Sequence, residues 1–115
     1  MRFLCVHKGP EGEPPTPQMM EDMGKLIGDM AAAGVLLATE GCLPSAKGAR
    51  VRRSNGKITV TDGPFTESKE VIGGFALIQV KSKEEAIEWT RRFITVVGEG
   101  ESEIRELCDV PAYQG

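Results

Sequence analysis

The stretch VTDGPFTESKEVIGGF, residues 60–75, joins a turn to the longest apolar run of the chain. Asp62 precedes a Gly-Pro pair, which is turn chemistry, and a segment of alternating charge follows before the apolar residues begin. Residues 71–80 are apolar on both faces, which predicts a central strand that is covered on both sides. The stretch therefore places a rigid turn with a carboxylate directly before a central strand.

Upstream of this turn, residues 50–61 (RVRRSNGKITVT) predict a β-hairpin. Asn55-Gly56 supplies the two positive-φ positions of a type I′ turn. A two-residue loop sets three opposed pairs: Arg53 with Ile58, Val51 with Val60, and Arg50 with Thr61. One face of the hairpin is then aliphatic and the other carries arginines and threonines.

The rest of the chain predicts two helices and three more strands. Thr16 caps a helix that has Pro17 in its first turn and runs to about residue 33, and Ser82 with Glu85 forms a capping box for the second helix. The three strands are expected over residues 1–7, 35–38 and 103–108, and a tail follows at residues 110–115. This order is the split βαβ pattern, so we expect one α+β domain over residues 1–115, a ferredoxin-like βαββαβ sandwich with an inserted hairpin.

Two helices cover only one face of such a sheet. The strand at residues 1–7 and the central strand are nevertheless apolar on both faces. An open apolar sheet face is a recognised interaction surface. A second copy of the chain is the economical cover, so the sequence predicts a homodimer.

Composition limits the function classes. The net charge of −3 argues against a nucleic-acid partner. Three cysteines without CxxC spacing are typical of a reducing compartment, and a single histidine gives no metal cluster, so neither a metal nor another cofactor is expected. No signal peptide and no run of 18 apolar residues is found, so we expect a cytoplasmic protein without a membrane partner.

Three carboxylates and a lysine are candidate catalytic residues. Asp62 on the rigid turn suits a general acid or base, although an Asx bond to its own turn is the alternative. Glu67 and Lys69 lie two apart, so they point the same way in an extended segment, either toward a site or as a solvated ion pair. Glu40, at the end of a strand, is a candidate second carboxylate.

The candidate ligand-binding residues are mostly basic. Arg105 on the last strand needs an anionic partner if it faces the sheet surface. The hairpin arginines Arg50 and Arg52 suit a phosphate or carboxylate, or else form a solvated face. Phe65 follows the turn as a possible ligand contact. His7 is the group that titrates near neutral pH, although a structural histidine is the alternative.

Four stretches carry a family resemblance: GVLLATEGCLPSAKGARVR, VTDGPFTESKEVIGGF, KSKEEAIEWTRRF and SEIREL. In this order they resemble the signatures of the YCII-related family, in the branch of DGPF-domain proteins, over about residues 34–107. The resemblance implies a dimeric α/β barrel with polar residues in a cleft at the dimer interface. It also implies a family of largely unassigned function, with a transcription-associated role in some relatives. It favours Asp62, Glu67, Lys69 and Glu40 as site residues.

Two hypotheses follow from the residues and the resemblance. The first is a cofactor-free enzyme acting on a small polar or anionic molecule in the interfacial cleft. In it Asp62 is the acid or base, Lys69 and Arg105 stabilise negative charge, and Glu40 and Glu67 tune the site. The alternative is a non-catalytic ligand-sensing or regulatory dimer. In a third interpretation these charges only brace the dimer.

Overall fold

The computed structural model of the chain describes residues 1–108, and the predicted tail lies outside the described residues. The described part holds six strands, two α-helices and a short 3₁₀ helix. In chain order these are β1 (Arg2–Gly9), α1 (Pro17–Ala32), β2 (Leu36–Gly41), the 3₁₀ helix (Ser45–Lys47), β3 (Ala49–Ser54), β4 (Lys57–Asp62), β5 (Val71–Gln79), α2 (Lys83–Val97) and β6 (Glu101–Glu106). The predicted order of elements is confirmed.

Four strands form an antiparallel sheet in the order β2-β5-β1-β6, and β3 pairs only with β4 in a separate hairpin. The two central strands are β1 and β5, which pair with each other and with one edge strand each. In the unit β1-α1-β2 the two strands are separated by β5, and in the unit β5-α2-β6 they are separated by β1. This is the arrangement of a split βαβ fold. The α+β class is confirmed and the topology is compatible with the ferredoxin-like sandwich, while the dimeric barrel stays a prediction.

The hairpin has the register that its sequence predicts. Asn55 and Gly56 have φ values of 50° and 77°, as a type I′ turn requires. The opposed pairs are Arg53 with Ile58, Val51 with Val60, and Arg50 with Thr61. No other described element packs extensively against the hairpin, and its aliphatic side chains are therefore about two-thirds exposed.

Both helices begin at the predicted caps. The Thr16 hydroxyl accepts a hydrogen bond from the Met19 N–H at 3.1 Å, and the Ser82 hydroxyl accepts one from the Glu85 N–H at 3.1 Å. The Glu85 carboxylate in turn accepts from the Lys81 N–H at 2.9 Å. Such caps contribute about 1 kcal/mol each.

The core lies between the two helices and one face of the sheet. Period-two alternation turns Phe3 of β1 and Ile78 of β5 toward the helices, where they meet Leu26 of α1 and Ala86 of α2. These four side chains are at most 2% exposed. Burial of each large one contributes roughly 1.5–3 kcal/mol, so this layer fixes how the helices lie on the sheet.

The opposite face of the sheet, here the open face, is covered by no described element. Its centre is apolar, and each edge strand carries charged residues. The strand register aligns two rows across β2, β5, β1 and β6: Glu40, Phe75, Val6 and Glu103; and Ala38, Leu77, Leu4 and Arg105. The two-faced apolar strands predicted from the sequence are therefore present.

β2 is longer than predicted. It continues to Gly41 because Gly41 pairs with Gly74 of β5. A Cβ at Gly74 would lie 2.8 Å from the Glu40 carbonyl oxygen, so glycine permits this close pairing. Glu40 is consequently a strand residue on the open face. Within residues 1–108, neither helix has the length and apolar character needed to cross a membrane.

Candidate functional site

The DGPF turn (residues 62–65) is bonded to two other loops through Ser45. The Ser45 hydroxyl donates to the Glu11 carboxylate at 2.7 Å and accepts from the Phe65 N–H at 3.1 Å. The Ser45 N–H also donates to Glu11. Both hydrogen bonds lower the pKa of Glu11, and the bond from the Ser45 hydroxyl has the larger effect. Ser45, 9% exposed, thus joins the loop after β1 to the turn before β5.

Gly63 has no room for a side chain. A Cβ there would overlap the Ser45 carbonyl oxygen and lie 2.6 Å from its carbon. The Gly63 N–H donates to the Gly48 carbonyl at 2.9 Å, and the Gly63-Pro64 peptide bond is cis. The glycine of the DGPF turn is therefore needed for close backbone approach.

Three predicted site residues meet beside the turn. The Arg50 guanidinium carbon lies 3.8 Å from the centroid of the Phe65 ring. One terminal nitrogen of Arg50 is 2.7 Å from Glu67 Oε1, and the other donates to the Ser68 hydroxyl at 3.0 Å. We call Arg50, Phe65, Glu67 and Ser68 the Arg50 cluster. It holds the guanidinium in one orientation on the protein surface.

Glu67 in this cluster is suited to remain ionised. A hydrogen bond from its own backbone N–H, and then the contact with Arg50, lower its pKa against partial desolvation. A carboxyl group with a lowered pKa is a poor proton donor near neutral pH. Its ion-pair partner is Arg50 and not Lys69, so the predicted Glu67–Lys69 pair is wrong.

Asp62, Lys69 and Arg52 stay apart from this cluster. All three are exposed, and within residues 1–108 their side chains make no hydrogen bond or ion pair. The alternative that Asp62 closes its own turn by an Asx bond is therefore wrong. The Asp62 carboxylate is exposed to solvent. Its proposed catalytic role stays a prediction.

Glu40 and Arg105 lie on the open face at opposite edges of the sheet. Three strand spacings separate β2 from β6, which is roughly 14 Å. Arg105 has an anionic partner on its own strand, since its terminal nitrogen is 3.2 Å from Glu103 Oε2. These two residues therefore do not join one site within a single chain.

His7 is placed on the helix side, near the end of β1. Its Nδ1 lies 2.9 Å from the Ser102 hydroxyl oxygen, and its ring contacts the edge of Phe93 with centroids 5.3 Å apart. Burial lowers the pKa of His7, while the nearby Glu70 charge and a hydrogen bond to the Glu99 carbonyl oppose that shift. The net effect favours a neutral imidazole.

The lowered pKa of His7 gives a testable pH dependence. As the pH falls, the His7 ring takes up its proton at a higher pH in the unfolded chain than in the folded chain. Protonation of His7 therefore costs no stability above pH 6.5, and the free energy of unfolding decreases as the pH falls below 6.5. We expect the ring proton signal of this sole histidine to titrate with a midpoint below 6.5. His7→Gln should remove the part of the stability difference between pH 7.5 and 5.5 that is due to the ring. A midpoint above 6.5 would contradict the burial described here.

A cavity of about 50 Å³ lies between the helices and the sheet, with His7 in its wall. Its lining comes from β1, α1, β2, β5, α2 and β6 and is largely apolar. The lining residues are Cys5, His7, Met23, Leu26, Ile27, Met30, Leu36, Thr39, Gly74, Phe75, Ala76, Ile78, Trp89, Thr90, Phe93 and Ser102. Burial raises the pKa of the Cys5 thiol, so it stays protonated and unreactive.

The cavity reaches the end of the sheet at which the DGPF turn lies, and it extends beneath the sheet toward Leu36 and Ile78. His7 and Thr39 lie near the ends of β1 and β2, and Ser102 and Gly74 near the beginnings of β6 and β5. The turn segment enters β5 at this same end. Of the predicted site residues only His7 lines the cavity. The other lining residues carry no signal of function in the sequence, because methionine, tryptophan and aliphatic residues are typical of any core.

A metal centre is not formed by the described residues. Between residues 1 and 108, no three side chains of histidine, cysteine, aspartate or glutamate are grouped to hold an ion.

The fold and the cavity define a small α+β domain with an internal pocket. The sequence pattern of the YCII-related domain matches residues 1–110, farther toward the N-terminus than the resemblance extended. The chain belongs to the YCII-related family. An uncharacterized protein of Rhizobium meliloti (strain 1021) is 35% identical over 74 residues, 64% of this chain and 60% of the relative. The match spans less than two thirds of that relative's length.

Proposed function

We propose that the protein is a homodimer that binds a small molecule in the cavity between the helices and the sheet, which reaches the DGPF end of the sheet. The observation that carries the proposal is the cavity itself, which is largely apolar but has His7 and Ser102 in its wall. A well-formed apolar pocket with a few convergent polar groups and shifted pKa values is the usual form of a ligand site.

The open face supports the dimer. Phe75, at its centre, is 38% exposed, and Leu4, Val6 and Leu77 surround it with apolar surface that is only half-buried. Charged residues frame this apolar centre at both edges. Two such faces packed about a two-fold axis remove the apolar centre from water and leave the charged edges near solvent.

Acid–base catalysis by Asp62, Glu67, Lys69 and Glu40 stays a prediction. In a cavity-binding dimer, these groups act only on the part of a ligand that extends from the cavity toward the DGPF turn. The cavity lining is largely apolar, and Glu67 is held in an ion pair. Both observations favour ligand binding over acid–base catalysis. The ligand-sensing hypothesis is therefore the one we adopt.

Filling part of the cavity should weaken binding. Trp89 is the only tryptophan of the chain and lines the cavity, so its fluorescence reports on occupancy in a screen of small molecules. Ala76→Val adds two carbons to the cavity wall, and displacing two ligand carbons costs about 1.6 kcal/mol at ~0.8 kcal/mol per carbon. We expect roughly tenfold weaker binding.

The matched control is Ala32→Val, which makes the same change at an exposed position of α1. It should leave affinity unchanged. Equal affinities for wild type, Ala76→Val and Ala32→Val would place the bound molecule outside the cavity and refute the proposal.

A further inference from the structure

We propose that the β3–β4 hairpin is an arm that docks on a second copy of the chain. Its docking surface is the aliphatic face, which carries Val51, Ile58 and Val60. Arg53 lies near the tip of this face and Asp62 at its base. The inference rests on the proposed homodimer, and it adds a second contact surface to the open face of the sheet.

The aliphatic face of the hairpin is exposed in the single chain. Its three aliphatic side chains are each about two-thirds exposed, and no other element of residues 1–108 packs extensively against the hairpin. The shortest extent of the molecule is 18 Å, which one helix layer on one sheet already occupies, so the hairpin extends beside the two layers. A two-stranded hairpin alone is at best marginally stable in water. This face therefore needs a cover.

The opposite face of the hairpin already has a contact at its base. Arg50 stacks on Phe65 and pairs with Glu67. Farther along this face, Arg52 and Lys57 are exposed charges that suit water. Burial of the aliphatic face is favourable, whereas burial of these charges is costly. The aliphatic face is therefore the one that docks.

The small size of the open face points to a second copy as the cover. Four strands about 4.8 Å apart, each paired over about six residues of ~3.3 Å, give it a flat area of roughly 400 Å². A stable dimer buries about 800 Å² on each partner. An arm of two six-residue strands adds about half as much again, and the surface that receives the partner's arm adds the same. With the arms, the interface reaches the area that a stable dimer needs.

The chain between the open face and the hairpin carries further exposed apolar side chains. Ile72 lies at the beginning of β5, three residues before Phe75 of the open face, and is more than half exposed. Leu43 lies between β2 and the hairpin and is also more than half exposed. A molecule seated on the open face can therefore extend its apolar contact toward the hairpin.

Charge complementarity supports a copy of this same chain as the partner. Residues 49–62 hold four basic residues and one acidic residue, although the whole chain has a net charge of −3. The rest of the chain is therefore acidic. Glutamates are concentrated in and just before the edge strand β6, at Glu99, Glu101, Glu103 and Glu106. Opposite charges on two surfaces favour and orient their association.

A two-fold axis parallel to the strands brings these charges together. Such an axis places β2 of one copy opposite β6 of the other and keeps the same ends of the two sheets together. The hairpin leaves the sheet between the end of β2 and the beginning of β5, and β6 begins at this same end. The basic arm of each copy then lies beside Glu101 of the partner subunit.

The test is the dimer affinity of two aspartate variants, measured by sedimentation equilibrium. Val60→Asp places a charge that is exposed in the monomer and buried in the dimer, so we expect roughly hundredfold weaker association. Thr59→Asp is the matched control, since Thr59 is exposed on the opposite face of the same strand, and it should leave the affinity unchanged. A wild-type monomer would refute the arm and the homodimer together. A Val60→Asp dimer as tight as the Thr59→Asp dimer would refute the arm and leave the homodimer standing.

A charge exchange tests where the arm lies on the partner. Arg53→Glu should weaken the dimer about tenfold over its two symmetric contacts. Adding Glu101→Arg should restore the affinity, because the two signs are then exchanged across the interface. Adding Glu88→Arg instead is the control, since Glu88 is exposed on α2, and it should restore nothing. Equal affinities for the two double variants would refute the contact between the arm and β6.

Discussion

Gly63→Ala is expected to destabilise the protein by about 3 kcal/mol, near the upper end of the effects of single core changes. The new methyl group would overlap the backbone carbonyl of Ser45. Backbone cannot turn away as a side chain can, so Ser45 must shift. That shift disturbs its hydrogen bonds to Glu11 and Phe65 together. At about 4 °C per kcal/mol for a domain of this size, we expect Tm to fall by about 12 °C.

The matched control for this prediction is Gly24→Ala. A Cβ at Gly24, inside α1, meets nothing within 4 Å, so alanine should raise stability by about 1 kcal/mol through helix propensity. Thermal unfolding of both variants gives the comparison. If Gly63→Ala were as stable as wild type, the tight contact between the DGPF turn and Ser45 would be absent in solution.

Val6→Lys is expected to convert the proposed dimer to monomers. Val6 lies on the open face between Phe75 of β5 and Glu103 of β6. In the monomer the new lysine has Glu103 as a cross-strand partner, so the fold should tolerate it. In the dimer each copy buries a charge, and about 3 kcal/mol in total weakens association by roughly two orders of magnitude.

Sedimentation equilibrium measures this effect directly. Met20→Lys is the control, because Met20 is exposed on the helix side of the molecule and the same change there should leave the dimer intact. A wild-type monomer at tens of micromolar would refute the homodimer. So would a Val6→Lys dimer of wild-type affinity.

Local chemistry made much of the fold predictable. The Asn55-Gly56 turn fixes the hairpin register because a two-residue loop allows only one pairing, and Thr16 and Ser82 mark where the helices begin. The apolar alternation of β1 and β5 indicated a sheet with two faces to cover. In each case the deciding residues lie within a few positions of one another.

The site was less predictable because its contacts join distant residues. Glu67 pairs with Arg50, 17 positions away, although Lys69 stands two positions from it in sequence. Ser45 binds Glu11 across 34 positions, and neither residue belongs to a pattern that marks function. The cavity is lined by core-type side chains, and its existence depends on how the two helices lie on the sheet.

The most direct test of the account is the position of a bound molecule relative to the five methionines. Met23 and Met30 line the cavity, whereas Met1, Met19 and Met20 do not. In protein labelled with ¹³C at the methionine methyl groups, binding of a molecule found in the fluorescence screen should shift the signals of Met23 and Met30 and leave the other three in place. Shifts confined to Met1, Met19 and Met20, or no shifts at a saturating concentration of that molecule, would contradict the proposed cavity site.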